Sequence, residues 1–389
     1  MTRHAARPMT VLGSVSEADF LRRYWQREPL LVRGALQHSA DLVDGDELAG
    51  LACEDAVDAR LVIHDAARDA WQCEDGPFDA QRFATLPARG WTLLVQAVDQ
   101  HLPEIAALLE RFAFLPRWRL DDVMVSYASD GGGVGPHFDH YDVFLIQARG
   151  ARRWQIGQRC DAHSALRDHP RLKLLADFTP AVEHELHAGD MLYLPPGIAH
   201  QGTAMGDDCI TCSVGFRAPA HAELLQGAAA QLAEKLPEDA RYRDTAPAID
   251  ADPYCINDAA LQSLRAVWDA LAPERIDAAL AHAFGCQLTE PRHPERIGEH
   301  SESTPEIAAR RLGGRGSLRL VHDPASRFAY APCGERALLF VDGEAYHTSA
   351  ELARGVCHAR IALRELRDEH DRAVLLELLA QGSLSVRGR

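Results

Sequence analysis

Residues 130–157, DGGGVGPHFDHYDVFLIQARGARRWQIG, constrain this chain more than any other stretch. A glycine run, Gly131 to Gly133 followed by Gly135-Pro136, leads into His137-Phe138-Asp139. The apolar run Val143 to Ile146 comes next, then Gly150 and a second short run around Trp154. Apolar runs of this length bounded by Gly and Pro predict two buried strands joined by a turn at Gly150. On a strand, His137 and Asp139 (i and i+2) point to the same face. An imidazole nitrogen and a carboxylate oxygen can then face one point in space.

A third candidate ligand lies in Gly189-Asp190-Met191-Leu192-Tyr193-Leu194-Pro195-Pro196-Gly197-Ile198-Ala199-His200. The pattern is a Gly-Asp turn, a short apolar strand, a Pro-Pro-Gly turn and a histidine. In an antiparallel double-sheet barrel that turn brings His200 back beside the earlier strand. Two histidines and one carboxylate, with positions left open, suit a non-haem Fe(II) that activates oxygen. Zinc also accepts two His and a carboxylate. A lone His-x-Asp is more often a solvated strand end; the downstream element shifts the reading to metal binding.

The chain has 389 residues, enough for two or three domains, and 47% of them are apolar, which supplies a sizeable core. A formal charge of −16 disfavours nucleic acid as the main partner and fits a basic protein or peptide substrate, although solubility alone also explains it. Nine cysteines, an odd and scattered set, argue for a reducing compartment rather than a disulfide framework. Cys209-Ile-Thr-Cys212 spells C-x-x-C, but on a strand i and i+3 face opposite ways, so it reads as core packing. No signal core or membrane-length apolar run is present in the sequence, so the expected location is cytoplasmic, with no membrane partner.

Short strands are expected at Leu30–Val32, Trp91–Val98, Val123–Tyr127, Glu183–His187, Asp190–Leu194 and Cys209–Phe216, with a charged, loop-rich insertion at Asp161–Phe178. Helices are expected over residues 16–27 behind the N-cap Ser16, over Asp46–Cys53 and over Leu102–Phe112. A double-stranded β-helix, or jelly roll, is the natural architecture for strands so spaced. Near Pro219 the composition turns helical: Ala222–Leu236, Leu261–Leu271 and Pro273–Phe284 read as helices. Leu261, Leu264, Val267, Trp268 and Leu271 form an apolar stripe, either internal core or a dimer face. Residues 292–304 read as a polar linker. Beyond it, strands at Ser317–His322, Phe328–Ala331 and Ala337–Val341, an Asp342-Gly343 hairpin turn, and helices from Ser349 and Arg372 make a small mixed domain. From Pro305 onward there are 13 Lys/Arg against 11 Asp/Glu, so no basic face is evident and direct DNA binding is not expected.

Phe20 to Gly34, Trp91 to Val98, Trp118 to Gly157, Gly189 to His200 and Ser213 to Pro219 together resemble the JmjC branch of the cupin superfamily of Fe(II)/2-oxoglutarate oxygenases. Within it they are most similar to the bacterial ribosomal-protein arginine hydroxylases. The resemblance implies an α+β chain: a JmjC/cupin catalytic domain with N-terminal helices over 1–219, a helical dimerisation module over 220–291, the linker 292–304 and a winged-helix-like domain over 305–389. It implies Fe(II) on His137, Asp139 and His200, with 2-oxoglutarate and molecular oxygen as cosubstrates. Arg152 matches the family's cosubstrate-binding arginine, since a guanidinium gives a carboxylate a bidentate fork. Ser126 matches its hydroxyl partner, and Arg153 faces away if the strand is regular.

The resemblance also implies a homodimer acting on a basic substrate, the large-subunit ribosomal protein L-sixteen. An arginine substrate needs a carboxylate. The family places a substrate-binding acid at Asp121 or Asp122, which face opposite ways on a regular strand. Asp142 is a further acid expected near the mouth, and Tyr141 or His140 could stack on the guanidinium; His140 departs from the family pattern. Three functions follow: protein-arginine hydroxylation, a JmjC histidine hydroxylase or N-methyl-lysine demethylase with the same iron chemistry, and a non-catalytic metal-binding cupin regulator. Arg152 and the complete triad speak against the last.

Overall fold

The computed structural model describes residues 11–243, 256, 258–299, 317–362, 366 and 368–386. Part of the expected linker and the first residues of the expected C-terminal domain therefore lie outside the described residues. The chain divides into two compact units, Met1–Ala218 and Pro219–Arg389.

The first unit is one antiparallel sheet that includes β1 (Leu30–Val32), β2 (Ala59–Asp65), β3 (Ala70–Asp75), β4 (Trp91–Val95), β5 (Leu120–Ala128), β6 (Val143–Arg159), β7 (Val182–His187), β8 (Met191–Leu194) and β9 (Ile198–Phe216). The order is β1-β8-β6-β9-β5-β4-β2-β3, with β7 also on β6. The strand β6 pairs with β8 through Val143–Ile146 and with β7 through Ala151–Ile156, so the sheet folds over on itself into the double-stranded β-helix. One set of side chains packs outward under the N-terminal helices, around Phe20, Phe112, Phe144, Tyr193 and Phe216. The other set lines the barrel interior: Val143, Leu145, Trp154, Ile156, Leu186, Leu192, Leu194 and Ile198.

Two features of the sheet differ from the sequence reading. The stretch 143–159 is one 17-residue strand, not two strands joined by a turn. Gly150, at φ +63°, is the site of an irregularity that shifts the β6–β9 register on either side of Arg149. A bulge of this kind adds a residue and changes which alternate side chains face the interior. The β2–β3 hairpin was not expected; its strands mix polar and apolar residues because β3 is an edge strand with half-exposed side chains. Cys209 and Cys212 fall in separate packing clusters, as their i and i+3 spacing on a strand requires.

The second unit holds helices His221–Glu234, Asp258–Asp269 and Pro273–Thr289, then β10 (Ser317–His322), β11 (Phe328–Cys333), β12 (Arg336–Val341), β13 (Glu344–Ser349), β14 (Arg360–Ala362) and β15 (Leu384–Val386). The strands form two three-stranded sheets, β14-β10-β15 and β11-β12-β13. Helices Ala350–Cys357, capped by Ser349, and Glu369–Ala380 close a core around Leu339, Leu352, Val356, Leu375 and Leu378. This is a winged-helix arrangement. Helices His221–Glu234 and Pro273–Thr289 share a small-residue seam, Ala228, Leu232, Ala279 and Ala283. No helix among the described residues is long and apolar enough to cross a membrane.

The Gly189-Asp190 turn fastens β1 to β8. Asp190 accepts from the backbone N–H of His187 (3.0 Å) and of Gly34 (2.9 Å) and from Arg33 Nη1 (2.6 Å). Burial opposes ionisation, but these donors outweigh it and hold the carboxyl below its ordinary range. Asp190→Ala is expected to cost about 2 kcal/mol at neutral pH, from charge-assisted bonds lost. A depressed folded-state pKa gives stability that is present above the unfolded carboxylate's pKa and lost as pH falls through the folded value. The gap between wild type and variant in urea midpoint should therefore narrow below about pH 4; a gap that stays constant with pH would assign it to something other than the charge.

Candidate metal and cosubstrate site

His137 sits on an extended loop rather than in a strand, and reaches β9 through one isolated bridge. Its N–H donates to the carbonyl of His200 (3.0 Å), and the His200 N–H donates back (2.8 Å). Two residues on, the Asp139 carbonyl accepts from Gly197 N–H at 2.8 Å. The Pro-Pro-Gly turn thus returns His200 to the loop as expected, but the partner is a loop pinned at two points. Further support comes from Leu175, whose N–H donates to the Pro136 carbonyl at 2.8 Å.

The ligand atoms of His137, Asp139 and His200 all lie within 4.8 Å of one another. His200 Nε2 is 3.7 Å from Asp139 Oδ2, and the two imidazole centroids are 4.3 Å apart. Each ring's Nδ1 faces a backbone carbonyl: Gly135 at 3.0 Å for His137 and Ile198 at 2.9 Å for His200. A carbonyl only accepts, so Nδ1 carries the hydrogen and Nε2 presents its lone pair. Such outer contacts fix the tautomer of metal-ligating histidines. Burial, then repulsion from His137, lowers the His200 pKa to about 4 against the attraction of Asp139, so the ring is neutral near pH 7. The donor set therefore fits a divalent ion without prior deprotonation of His200.

Farther along the same face, Arg152 is 4% exposed. Its Nη2 lies 3.5 Å from Ser126 Oγ, and its Nε has no partner among the described residues. Among the described residues no carboxylate pairs with it, whereas Arg153 on the outer face meets Glu183 (3.4 Å) and Glu185 (3.5 Å). A buried guanidinium without a counter-ion is costly unless a ligand provides one. Ser126 Oγ also reaches the Thr211 carbonyl at 3.5 Å. Thr211, Gln147 and Trp154 line the interior nearby, with Thr211 Oγ1 donating to Gln147 Oε1 at 3.0 Å. The sequence reading did not single out these three. The only signal for them was strand parity with Arg152 and Ser126, which the Gly150 irregularity hides.

The candidate substrate acids separate as alternation demands. Asp122 is 5% exposed, points inward beside Gly215 and accepts from Ala97 N–H at 3.0 Å. Asp121 pairs with Arg217 Nε at 2.9 Å. Tyr141 keeps 41% of its surface exposed. Desolvation of its phenol and the charges of Asp139, Asp122 and Asp121 push its pKa up. His140 is exposed and sits edge-on to Phe138, at 5.2 Å between centroids. Asp142 is not at the mouth: it is fully buried, accepting from Tyr193 Oη (2.6 Å), Gln26 Nε2 (3.1 Å) and Arg119 Nη2 (3.2 Å).

A jelly-roll interior with a His-Asp-His cluster at one end and an uncompensated arginine farther in defines a JmjC-type cupin, and residues 107–224 match the JmjC domain family. Residues 263–385 match a ROXA-like winged helix, a match that begins inside the segment expected to be a separate helical module. The chain is 44% identical over 209 residues to the ribosomal protein uL16 3-hydroxylase of Escherichia coli K12, covering 54% of each chain. That alignment spans about half the length of the curated relative. The X-ray structure of E. coli YcfD superposes with a TM-score of 0.80 at 32% identity, covering 96% of this chain and 99% of that one. A second YcfD structure, described as a ribosomal oxygenase in complex with cobalt and 2-oxoglutarate, matches at TM-score 0.77 and 31% identity over 96% of this chain and 99% of that one. The chain belongs to the JmjC-domain ribosomal oxygenases.

Asp139→Ala and His200→Ala should each lower Co(II) affinity by more than about 100-fold, since a direct ligand matters at least as much as an outer-shell partner. Titration of the cobalt absorption bands checks this. Wild-type affinity in either variant would remove that residue from the ligand set.

Proposed function

We propose that this chain is an Fe(II)/2-oxoglutarate-dependent oxygenase that hydroxylates an arginine side chain of the large-subunit ribosomal protein L-sixteen. The observation that carries the reading is the pairing, in one barrel interior, of the His137–Asp139–His200 cluster with a buried Arg152 that lacks a carboxylate partner among the described residues. His137, Asp139 and His200 would hold the iron through Nε2, Oδ and Nε2. Arg152 and Ser126 would hold the distal carboxylate of 2-oxoglutarate by a charge-assisted fork and a hydroxyl. Iron and 2-oxoglutarate held there would supply oxygen-insertion chemistry, in which one atom of molecular oxygen enters a substrate C–H bond and the other ends in succinate as 2-oxoglutarate loses carbon dioxide. The apolar lining, Leu145, Ile156, Leu186 and Leu192, keeps water from the reacting atoms.

Substrate selection falls to the acids and rings at the entrance. Asp121 or Asp122 would pair with the guanidinium, with Tyr141 and His140 beside it. A chain of charge −16 favours a basic partner, and lysine does not reproduce the guanidinium fork. The helices between 220 and 291 would serve as a dimerisation module. Leu261, Leu264, Val267 and Trp268 on helix Asp258–Asp269 are each more than half exposed, an apolar face that a second copy would cover. The protein would act in the cytoplasm, beside its ribosomal substrate, with 305–389 as a structural winged-helix domain that does not bind DNA.

The test is incubation with Fe(II), 2-oxoglutarate and an arginine peptide from the ribosomal protein, followed by mass spectrometry. One added oxygen on arginine is expected, and the lysine version should react poorly. Of Asp121→Asn and Asp122→Asn, the one that matters should lose peptide turnover and keep metal binding. Oxygen on histidine, or loss of a lysine methyl group, would move the chain to the other JmjC activities; equal turnover of arginine and lysine peptides with neither variant impaired would end the arginine assignment. Arg152→Ala should raise the KM for 2-oxoglutarate more than about 10-fold, the worth of one hydrogen bond to a charged group. An unchanged KM would place the cosubstrate anchor elsewhere.

A further inference from the structure

A second donor on the inner face of β6 is left over. Trp154 is 5% exposed, and its Nε1–H has no partner among the described residues. An indole N–H only donates, and a buried tryptophan normally finds an acceptor for it. The side chains packed with it, Leu145, Ile156, Leu186, Leu192 and Leu194 among them, offer none. Phenylalanine would fill such a pocket with no donor to satisfy.

Its position gives the donor a use. The β6–β9 pairing places Arg152 opposite Ala204, Trp154 opposite Gly202 and Ile156 opposite His200, all on one face. The Trp154 ring lies 5.8 Å from the guanidinium carbon of Arg152 and 5.8 Å from the His200 ring. It rests on Gly202, where a Cβ would come within 2.7 Å of the indole. The absence of a side chain at Gly202 is what lets the ring lie against the β9 backbone, between the arginine and the metal cluster.

We propose that Trp154 is a cosubstrate-binding residue: its Nε1–H donates to a carboxylate oxygen of the dicarboxylate that spans from Arg152 to the His200 end. This rests on the 2-oxoglutarate reading given above. The indole gives direction where the guanidinium gives charge, and its apolar face packs on the ligand's methylene carbons. The bound dicarboxylate satisfies the orphaned donor, so tryptophan here serves the ligand and not the core alone.

The experiment measures 2-oxoglutarate binding to Mn(II)-loaded full-length protein by calorimetry, for wild type, Trp154→Phe and Arg152→Ala. Trp154→Phe keeps an aromatic ring and removes the N–H. The Kd for 2-oxoglutarate is expected to rise roughly 10-fold, as for loss of one hydrogen bond to a charged acceptor, while the Mn(II) Kd and the unfolding midpoint stay at wild-type values. A purely packing role would move the midpoint and not separate the two constants. In wild-type protein labelled with 15N at the indole, the Trp154 Nε1–H resonance should shift downfield and exchange more slowly when 2-oxoglutarate is added; this needs no variant. A Trp154→Phe Kd within about twofold of wild type, with Arg152→Ala binding lost, overturns the role of the indole and leaves the cosubstrate reading standing. Failure of the wild type to bind 2-oxoglutarate, or undiminished binding by Arg152→Ala, overturns the cosubstrate reading and this inference with it.

Discussion

The ladder between β6 and β9 decides what the interior of the first unit contains. Before Gly150, Val143, Leu145 and Gln147 face inward; after it, Arg152, Trp154 and Ile156 do. The parity changes because both strands slip register around Arg149. A regular strand would have continued odd-numbered residues inward and put Arg153 into the core. Arg153 is instead outside, 44% exposed at its side chain and paired with two glutamates. The two register shifts that flank Arg149, beside a glycine at positive φ, thus choose which of two adjacent arginines is buried with no carboxylate partner among the described residues. The same ladder carries His200, and His200 in turn captures the His137 loop through two reciprocal backbone hydrogen bonds.

That dependence explains what was legible in the sequence. Periodicity and turn residues located Leu30–Val32, the β12–β13 hairpin turn and the Ser349-capped helix, because each is set by local chemistry. The His-x-Asp and the distant His200 were legible as a set, because few structural uses call for those residue types behind a glycine run and a Pro-Pro-Gly turn. The choice of Arg152 over Arg153 was not legible from alternation, since an irregularity at Gly150 has no unique sequence mark; it came from resemblance. The β2–β3 hairpin was missed because edge strands carry weak alternation. Trp154 read as an apolar strand residue, for a sequence cannot show that an indole nitrogen will lack an acceptor.

The insertion between β6 and β7, which read as a charged loop, is tied down at several points. Arg167 Nη1 meets Asp69 Oδ2 at 2.8 Å, and Arg171 Nη1 meets Asp75 Oδ2 at 2.6 Å. His169 Nε2 is 3.2 Å from the Trp71 carbonyl, and its Nδ1 accepts from the N–H of Arg171 and Leu172. Leu172 and Leu174 pack with Val62, Trp71 and Val134. Exposed ion pairs contribute little each, so the apolar contacts and the partly buried His169 bonds carry most of this attachment. The insertion supports the metal loop from the side opposite β9, since Leu175 donates to Pro136 directly before His137. The β2–β3 hairpin, unexpected from the sequence, is therefore part of what holds the triad.

Two buried charged side chains in the first unit, Asp142 and Arg152, are satisfied very differently. Asp142 has no exposed surface, yet each carboxylate oxygen has protein donors: Tyr193 on one, Gln26 and Arg119 on the other. Burial pushes its pKa up, and those hydrogen bonds pull it back. The network closes on itself and joins the N-terminal helix region to β8, so a change there is felt as lost stability. Arg152 is nearly as deep, but among the described residues its side-chain contacts include only a 3.5 Å approach to Ser126 and a position over the Trp154 ring, 5.8 Å from its centroid. Folding alone gains little from a guanidinium held this way, because no carboxylate among the described residues offsets its desolvation. A diacid entering beside it, as proposed, would find a preformed cation, a hydroxyl and an indole donor that have already paid the cost of leaving water. On the proposed function, binding would recover what folding left uncompensated, and the poorly satisfied charge, not the well satisfied one, would mark the functional end of the barrel.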